Sequence, residues 1–206
     1  MTDDFRGDAK RLDDIDLPKI GREIGVGEDE IHAILDVESV GTGFDSAGRP
    51  KMLFEPHVFY RLLTRKGFTS LVRPAKALGI AYPKWGTKPY PKDSYPHLAD
   101  AIRLDRQTAL ESASWGLGQV MGFNFARAGY STVESMVKDF MADEEAQLQG
   151  MIGFIKSANL DRALRSHDWA RFALGYNGPG FSRNGYDKKL KAAFERWQKI
   201  KDTPYP

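Results

Sequence analysis

The stretch ILDVESVGTGF, residues 34 to 44, joins a helical pattern to a glycine-rich loop through one acidic residue. Ile31, Ile34 and Leu35 recur at the spacing of one helix face, and Glu38 follows on that face one turn after Ile34. The polar residues and glycines that come next are typical of a loop. The pattern therefore predicts a carboxylate at the end of a short helix, beside the apolar face of that helix.

Such a position suits an acid catalyst. A carboxylate in apolar surroundings is poorly solvated when charged, so we expect the pKa of Glu38 to lie above the ordinary value of about 4.3. A general acid needs this property, because it must still hold its proton near neutral pH. The alternative is a glutamate that points into solvent from a frayed helix end. The position by itself leaves both interpretations open.

Composition describes one ordinary globular domain. The 206 residues are 41% hydrophobic and 28% charged, which fits a single domain with short extensions. There is no cysteine, which excludes disulfides, thiolate metal sites and a cysteine nucleophile. The four histidines have no metal-ligand spacing such as HExxH. We therefore expect no metal and no cofactor.

The charge and the hydropathy of the chain limit its partners. A formal net charge of +2 is too small for a dedicated nucleic-acid-binding protein. Residues 181 to 206 are basic, which predicts a solvated helix face, with attraction to polyanions at a cell envelope as the alternative. No run approaches the roughly 18 apolar residues of a membrane span, and the first residues do not resemble a secretory signal. We expect a monomer that is made in the cytoplasm without a signal peptide and does not insert into membranes.

Helical patterns dominate the chain. Residues 1 to 14 are rich in Asp and lack periodicity, so they predict a disordered leader before a single domain of residues 15 to 206. The predicted fold is mainly α, with at most a small β-hairpin or sheet beside the loop at residue 41. Helices are expected over residues 17–24, 28–39 and 56–66, and almost continuously from residue 97 onward.

Residues 67 to 96 predict a long irregular connection, and connections of this length are often functional. Aromatic side chains alternate with lysines in this segment, at Tyr82, Lys84, Trp85, Lys88, Tyr90, Lys92 and Tyr95. We interpret residues 81 to 95 as a wall or lid of a cleft that contacts a glycan or its stem peptide. The alternative is a solvent-exposed loop fixed by its prolines.

A second motif, SASWGLGQVMGFNF, spans residues 112 to 125. Small residues such as Ser114 permit close backbone approach, Gln119 offers an amide to a sugar hydroxyl, and Trp115 offers a ring that can stack on a pyranose. A tightly packed corner between two helices would explain the same glycines. The motif by itself does not decide between these interpretations.

A third motif, LGYNGPGF, spans residues 174 to 181. Tyr176 ends an apolar stripe, so its ring is expected to be buried and its hydroxyl to need a partner, while Asn177 begins the turn that ends the helix. A plain helix C-terminus would look the same. Together with Glu38 and the second motif, however, the segment places polar groups at helix ends beside small or apolar residues. A cleft between packed helices is lined in this way.

The order of these three motifs resembles the lysozyme superfamily. Glu38–Ser39, then residues 114–119, then residues 175–178 match the E-S, G-L-M-Q and A-Y-N-x-G signatures of goose-type lysozymes and soluble lytic transglycosylases. ESVGTGFDSAGRPKMLFEPHVFYRL followed by SASWGLGQVMG is more similar to the N-acetylmuramidase domain of phage endolysins. The similarity covers nearly all of residues 17 to 200. The chain departs from the transglycosylase pattern at Gly118, which stands in the methionine position, and in a longer spacing between the first two motifs.

The resemblance implies a lysozyme-type peptidoglycan hydrolase that lyses bacteria by acting on the wall in the periplasm. Glu38 would be the general acid that protonates the β-1,4 oxygen between N-acetylmuramic acid and N-acetylglucosamine. A lytic transglycosylase and a non-catalytic cell-wall-binding module are the alternatives. The residues expected to bind the glycan are Ser114, Trp115, Gln119, Tyr176 and Asn177.

A glycoside hydrolase usually needs a second carboxylate. We prefer Glu55, because it precedes Pro56 at an expected helix N-terminus, where the helix dipole favours an ionised side chain. Asp45, in the loop after Glu38, and Glu111, just before the second motif, are the alternatives. A glutamate before a helix is also a common helix cap, and a lytic transglycosylase needs no second acid.

Overall fold

The mainly α architecture expected from the sequence is confirmed in the computed structural model, which describes residues 4–38 and 41–205. This part of the chain forms twelve α-helices, one short 3-10 helix and one small sheet. The elements are α1 (Asp16–Ile24), α2 (Glu28–Glu38), β1 (Met52–Phe54), α3 (Pro56–Arg65), α4 (Thr69–Ala77), α5 (Tyr95–Leu104), α6 (Arg106–Glu111), β2 (Ala113–Trp115), β3 (Val120–Met121), the 3-10 helix (Gly122–Asn124), α7 (Val133–Ala142), α8 (Glu144–Ser157), α9 (Asp161–Arg165), α10 (Trp169–Asn177), α11 (Phe181–Asn184) and α12 (Tyr186–Trp197).

The sheet is antiparallel, in the order β1-β2-β3. Met52 pairs with Trp115 and Phe54 with Ala113, and Trp115 pairs in turn with Val120. The sheet interrupts the nearly continuous helix expected after residue 97, because β2 pairs with β1, some 60 residues earlier in the chain, and β3 pairs with β2. This pairing places the β2–β3 turn, which carries the second motif, beside the loop after α2.

The packing of α8 and of α12 positions the C-terminal half of the chain. In α8, Leu148, Met151 and Ile155 are fully buried in the hydrophobic core. α12 packs along α2, where the rings of Trp197 and His32 stack with centroids 3.6 Å apart. The end of α2 is therefore held by the last helix of the fold. Within the described residues no helix has the length and apolar character needed to cross a bilayer.

The N-terminal segment differs from the expected disordered leader over residues 4 to 14. Phe5 is 2% exposed, and its ring lies 5.4 Å from that of Tyr95. Lys10 N donates to Ala142 O at 2.9 Å, and Lys10 O accepts from Glu144 N at 2.9 Å. The backbone partners of Lys10 lie at the α7–α8 junction, more than 130 residues away, so no local pattern indicates the order of this segment.

The connection between α3 and α5 is also more regular than expected. α4 occupies Thr69–Ala77 and contains Pro74, which removes one backbone donor from the helix. Ala75 is the one buried residue of α4, so the helix has no apolar stripe in the sequence. Pro74, inside the helix, further obscures the helical pattern. Only the loop from residue 78 to residue 94 remains irregular.

Candidate active site

A cleft of about 630 Å³ opens beside the end of α2. Its walls come from the loop after α2, from the β1–β2 edge of the sheet and from residues 92–95. The charged and amide side chains that line it are Glu38, Asp45, Arg49, Lys51, Lys92, Asp93 and Gln119. The first and second motifs therefore face the same cavity.

Glu38, the last residue of α2, lies partly buried in this cleft. Asn177 Nδ2 donates a hydrogen bond to Glu38 Oε1 at 2.7 Å. Burial raises the pKa of Glu38, and the hydrogen bond from Asn177 only partly opposes the rise. The raised pKa is the one expected from the helix pattern. Ser39, the second residue of the first motif, lies outside the described residues.

The end of α10 joins the third motif to both of the others. Asn177 contacts Glu38, and the neighbouring Tyr176 donates from its hydroxyl to Gly118 O at 2.7 Å. Burial raises the pKa of Tyr176 well above its usual range, and the charge of Glu38 raises it further, so the phenol stays a donor. A Cβ on Gly118 would lie 2.8 Å from Met151 Cγ and 2.9 Å from Tyr176 Oη. This crowding explains why glycine stands in the methionine position.

Gln119 lines the cleft from a strained turn. Its φ of 45° lies in the left-handed region, which costs a non-glycine residue about 1 kcal/mol or more. Gln119 Nε2 donates to Gly116 O at 2.9 Å, and Gln119 Oε1 accepts from Ser114 Oγ at 3.0 Å. Ser114 is 6% exposed and does not line the cleft. It orients the Gln119 side chain through this hydrogen bond.

Trp115 does not have the role expected from the sequence. Its side chain is 0% exposed, its Nε1 donates to Leu110 O at 3.1 Å, and its ring lies 5.7 Å from that of Phe5. The prediction that Trp115 stacks on a sugar is therefore wrong. All three residues of β2 are buried, and Phe5 of the N-terminal segment packs against Trp115 on one face of the sheet.

Two carboxylates share the cleft with Glu38, Asp45 and Asp93, and Glu55 is not among the residues that line it. Asp45 Oδ1 accepts from the backbone of Ala47 at 2.9 Å and of Arg49 at 3.0 Å, and the Arg49 guanidinium lies 2.7 Å from Asp45 Oδ2. Burial alone would raise the pKa of Asp45, but these hydrogen bonds and the Arg49 charge outweigh it and lower the pKa. Asp45 is therefore held ionised.

Glu55 lies beyond the other end of β1, apart from the residues that line the cleft. It accepts a hydrogen bond from the Tyr90 hydroxyl, and its Oε2 lies 3.3 Å from His57 Nδ1. Glu111 forms an ion pair with Lys66 at 2.6 Å, also away from the cleft. By position the structure favours Asp45 over the expected Glu55 as the second carboxylate, because helix-start chemistry carries no information about which loop faces Glu38.

The aromatic–lysine loop is a cleft wall only at its C-terminal end. Residues 92–95 line the cleft, and Tyr95 Oη donates to Pro50 O at 2.7 Å. The guanidinium of Arg49 lies over the Tyr95 ring, 3.9 Å from its centroid. Trp85, in the middle of the loop, is 71% exposed and does not line the cleft. Of residues 81 to 95, which were expected to form a wall of the cleft, residues 92–95 line it.

Two buried polar residues of α8 hold the loops around the cleft, and the sequence reasoning missed both. Gln147 Oε1 accepts from Leu117 N at 2.8 Å, and Gln147 Nε2 donates to Phe140 O at 2.8 Å. Glu144 Oε1 accepts from Gly43 N at 2.7 Å. Glutamate and glutamine are common on helix surfaces, so only their burial, at 5% and 0% exposed, distinguishes them.

The packing of Gly43 on Gln147 is testable. A Cβ on Gly43 would overlap Gln147 Oε1, so Gly43→Ala is expected to lower the free energy of unfolding by about 1–3 kcal/mol. Urea titration of the two proteins measures the difference. Gly180→Ala is the matched control, because a Cβ there meets nothing within 4 Å. In a Gln147→Ala background the Gly43 substitution should cost less, and equal costs in both backgrounds would contradict the overlap.

Two comparisons with known proteins give a match to this chain. The family model of N-acetylmuramidase matches residues 28–198. The crystal structure of the Burkholderia AP3 phage endolysin matches with a TM-score of 0.83 and 35% sequence identity, over 95% of this chain and 74% of that chain. A comparison with curated proteins finds no match.

Proposed function

The chain belongs to the N-acetylmuramidase family, and we propose that it cleaves the β-1,4 bond between N-acetylmuramic acid and N-acetylglucosamine with Glu38 as general acid. Membership makes it a lysozyme-type glycosidase and a peptidoglycan hydrolase. The observation that supports the role of Glu38 is its place in the cleft, partly buried, with a raised pKa and one hydrogen bond from Asn177.

In the proposed reaction Glu38 gives its proton to the bridging oxygen as the bond to the anomeric carbon breaks. The sugar on the leaving side departs as an alcohol, and positive charge develops on the ring of the other sugar. Asn177 Nδ2 already donates to Glu38 Oε1, so it stabilises the carboxylate that proton transfer produces. Glu38 recovers its proton from the water that attacks.

Asp45 is proposed as the second carboxylate. Its lowered pKa favours the ionised form, whereas the raised pKa of Glu38 favours the protonated form, so the two side chains suit different roles in the reaction. A negative charge in the cleft stabilises the cationic sugar ring or orients the attacking water. Gln119 lines the cleft and offers its amide to the hydroxyl or acetamido groups of the glycan, while Asn177 holds Glu38 in place. All these residues belong to one chain, so we expect the active form to be a monomer.

Product analysis tests the reaction itself. A hydrolase adds one water and leaves reducing muramic acid ends, whereas a lytic transglycosylase leaves anhydromuramic ends that are lighter by about 18 Da. Mass spectrometry of digested, lipid-free peptidoglycan separates the two. We expect reducing ends on muramic acid; anhydro products would replace hydrolysis with transglycosylation, and reducing ends on glucosamine would move the cleavage to the other bond.

The pH dependence of the rate follows from the two shifted groups. Activity is expected to fall as pH rises through the raised pKa of Glu38, because the acid loses its proton, and to fall at low pH when Asp45 takes one up. The Asn177 hydrogen bond lowers the pKa of Glu38. Asn177→Ala should therefore move the alkaline limb of the kcat/KM profile to higher pH. An unmoved limb, or one shifted to lower pH, would show that Glu38 is not the titrating acid.

A further inference from the structure

One continuous segment of the chain carries a strong positive charge, and of its cationic side chains only Lys92, at the end of the segment, lines the cleft. Residues 56 to 92 contain eight lysines and arginines and neither aspartate nor glutamate. The whole chain has a formal net charge of only +2, so the residues outside this segment carry a net charge of −6. The charge of the protein is therefore strongly polarised, although its total is close to neutral. We call residues 56–92 the basic segment.

The basic segment folds as one contiguous part of the molecule. α3 packs against α4, and Lys76 Nζ lies 5.0 Å from the centroid of the Tyr60 ring. The following loop returns to both helices. Lys88 Nζ lies 3.3 Å from where a Cβ would stand on Gly79, and the Tyr90 hydroxyl donates to Glu55 at the start of α3. The two helices and the loop that carry the cationic side chains are therefore in contact with one another.

Most of the cationic side chains of the basic segment are exposed to solvent. Lys66 forms an ion pair with Glu111 at 2.6 Å. The other seven basic side chains are exposed, and within residues 4–38 and 41–205 none of them forms an ion pair with a carboxylate. Like charges in one region repel each other, and neutralising partners would relieve that repulsion. The absence of carboxylate partners for these seven side chains, within the residues that the structure describes, indicates a surface that binds an external anion.

The same segment also exposes large apolar side chains. Trp85 is 71% exposed, Leu78 51% and Phe68 38%. Trp85 directly follows Lys84 at the tip of the loop, Leu78 ends α4, and Phe68 precedes it. A water-soluble polyanion would neutralise the lysines and leave these three groups in water. A lipid interface accepts both, with cations at the phosphates and tryptophan at the level of the headgroups.

We propose that the basic segment docks the enzyme on the surface of an anionic phospholipid bilayer. Its exposed lysines and arginines face the lipid phosphates, and Trp85, Leu78 and Phe68 enter the interface. The contact is peripheral and electrostatic, without a membrane-spanning element. Docking would hold a wall-degrading enzyme at an envelope membrane and is separate from the chemistry of Glu38.

Vesicle binding tests the proposal. The wild-type protein should co-sediment with vesicles of phosphatidylglycerol and phosphatidylethanolamine, and not with phosphatidylcholine vesicles. Arg73→Gln combined with Lys84→Gln should weaken binding about 25-fold, since each basic residue near the surface contributes about fivefold. The matched control is Lys188→Gln with Lys199→Gln, two exposed lysines of the C-terminal region, which makes the same charge change and should bind as the wild type does. Added salt should weaken wild-type binding.

Tryptophan fluorescence gives a second measurement. Trp115 and Trp169 are buried and Trp197 stacks on His32, so Trp85 is the residue expected to shift to the blue on vesicles. Trp85→Phe should abolish the shift. All these variants should digest lipid-free peptidoglycan at the wild-type rate, and Glu38→Gln should bind vesicles normally, which separates this proposal from the catalytic one.

Three results would overturn lipid docking. The first is a wild-type protein that ignores anionic vesicles, and the second is an equal loss of binding in the control pair. The third is that the protein with both Arg73→Gln and Lys84→Gln binds vesicles as the wild type does but binds lipid-free sacculi about 25-fold more weakly. That result would assign the surface to an anionic polymer of the wall.

Discussion

Glu38→Gln is expected to lower turnover on purified peptidoglycan about 1,000-fold, because the amide cannot give a proton to the departing sugar. Asn177 would still contact the side-chain oxygen, so the shape of the cleft should persist. The release of reducing ends under saturating substrate measures the loss, and sedimentation with sacculi shows that binding of the wall is retained. A variant that lyses walls as fast as the wild type would remove Glu38 from the mechanism.

Glu55→Gln is the matched control, since it makes the same chemical change on the other side of β1. Glu55 holds Tyr90 and lies beside His57, away from the cleft. We expect a small effect on kcat, with any loss appearing in KM through the loop that ends at residue 95. A loss of kcat as large as that of Glu38→Gln would restore Glu55 as the second catalytic acid.

Stability provides a further check on the Glu38 variant. Burial raises the folded-state pKa of Glu38, so the folded protein loses stability as pH rises and the side chain ionises. Glutamine carries no charge at any pH. Glu38→Gln should therefore unfold at a higher temperature than the wild type above the raised pKa, and the gain should vanish at low pH. A variant that is less stable throughout would show that Glu38 supports the fold.

Asp45→Asn is expected to lower kcat about 100-fold with a small change in KM. The asparagine oxygen can still accept from Ala47 N and Arg49 N, so the turn is preserved while the negative charge is lost. Steady-state kinetics on soluble peptidoglycan fragments separates the two parameters. The expected loss in kcat reflects a charge that matters most when the sugar ring becomes cationic.

Asp93→Asn is the control for Asp45. Asp93 lines the same cleft and its Oδ2 lies 3.4 Å from the Arg49 guanidinium, but it is more exposed than Asp45. Since solvent screens an exposed charge, its removal should change kcat little. The opposite ranking of the two variants would make Asp93 the second carboxylate. Equal and small effects would indicate a mechanism with a single acid, as in a lytic transglycosylase.

Several elements were predictable because their signals are local. The spacing of apolar residues placed α1, α2 and α3 within a few residues of their observed bounds. The same spacing put Glu38 at the end of α2 beside apolar neighbours, and its pKa is raised as expected. Tyr176 was expected to be buried and to need a partner, and it donates to Gly118 O. Each of these depends on neighbours within one or two helical turns.

Other features were not predictable from neighbouring residues. Trp115 is buried because Phe5, 110 positions earlier, packs against it. The strand that contains Trp115 exists because β1 pairs with it. The choice between Asp45 and Glu55 depended on which loop turns toward α2, and buried Glu144 and Gln147 fix that loop from α8. None of these contacts leaves a periodic pattern in the sequence.

The sequence by itself determined the helical class, the acid at the end of α2 and the order of the three motifs, because helix period and turn chemistry act over a few residues. Only the tertiary structure decided which carboxylates share the cleft with Glu38, which aromatic ring is buried and how α10 reaches both earlier motifs. These outcomes depend on hydrogen bonds and burial between segments far apart in the chain, and such contacts form only when the whole domain packs.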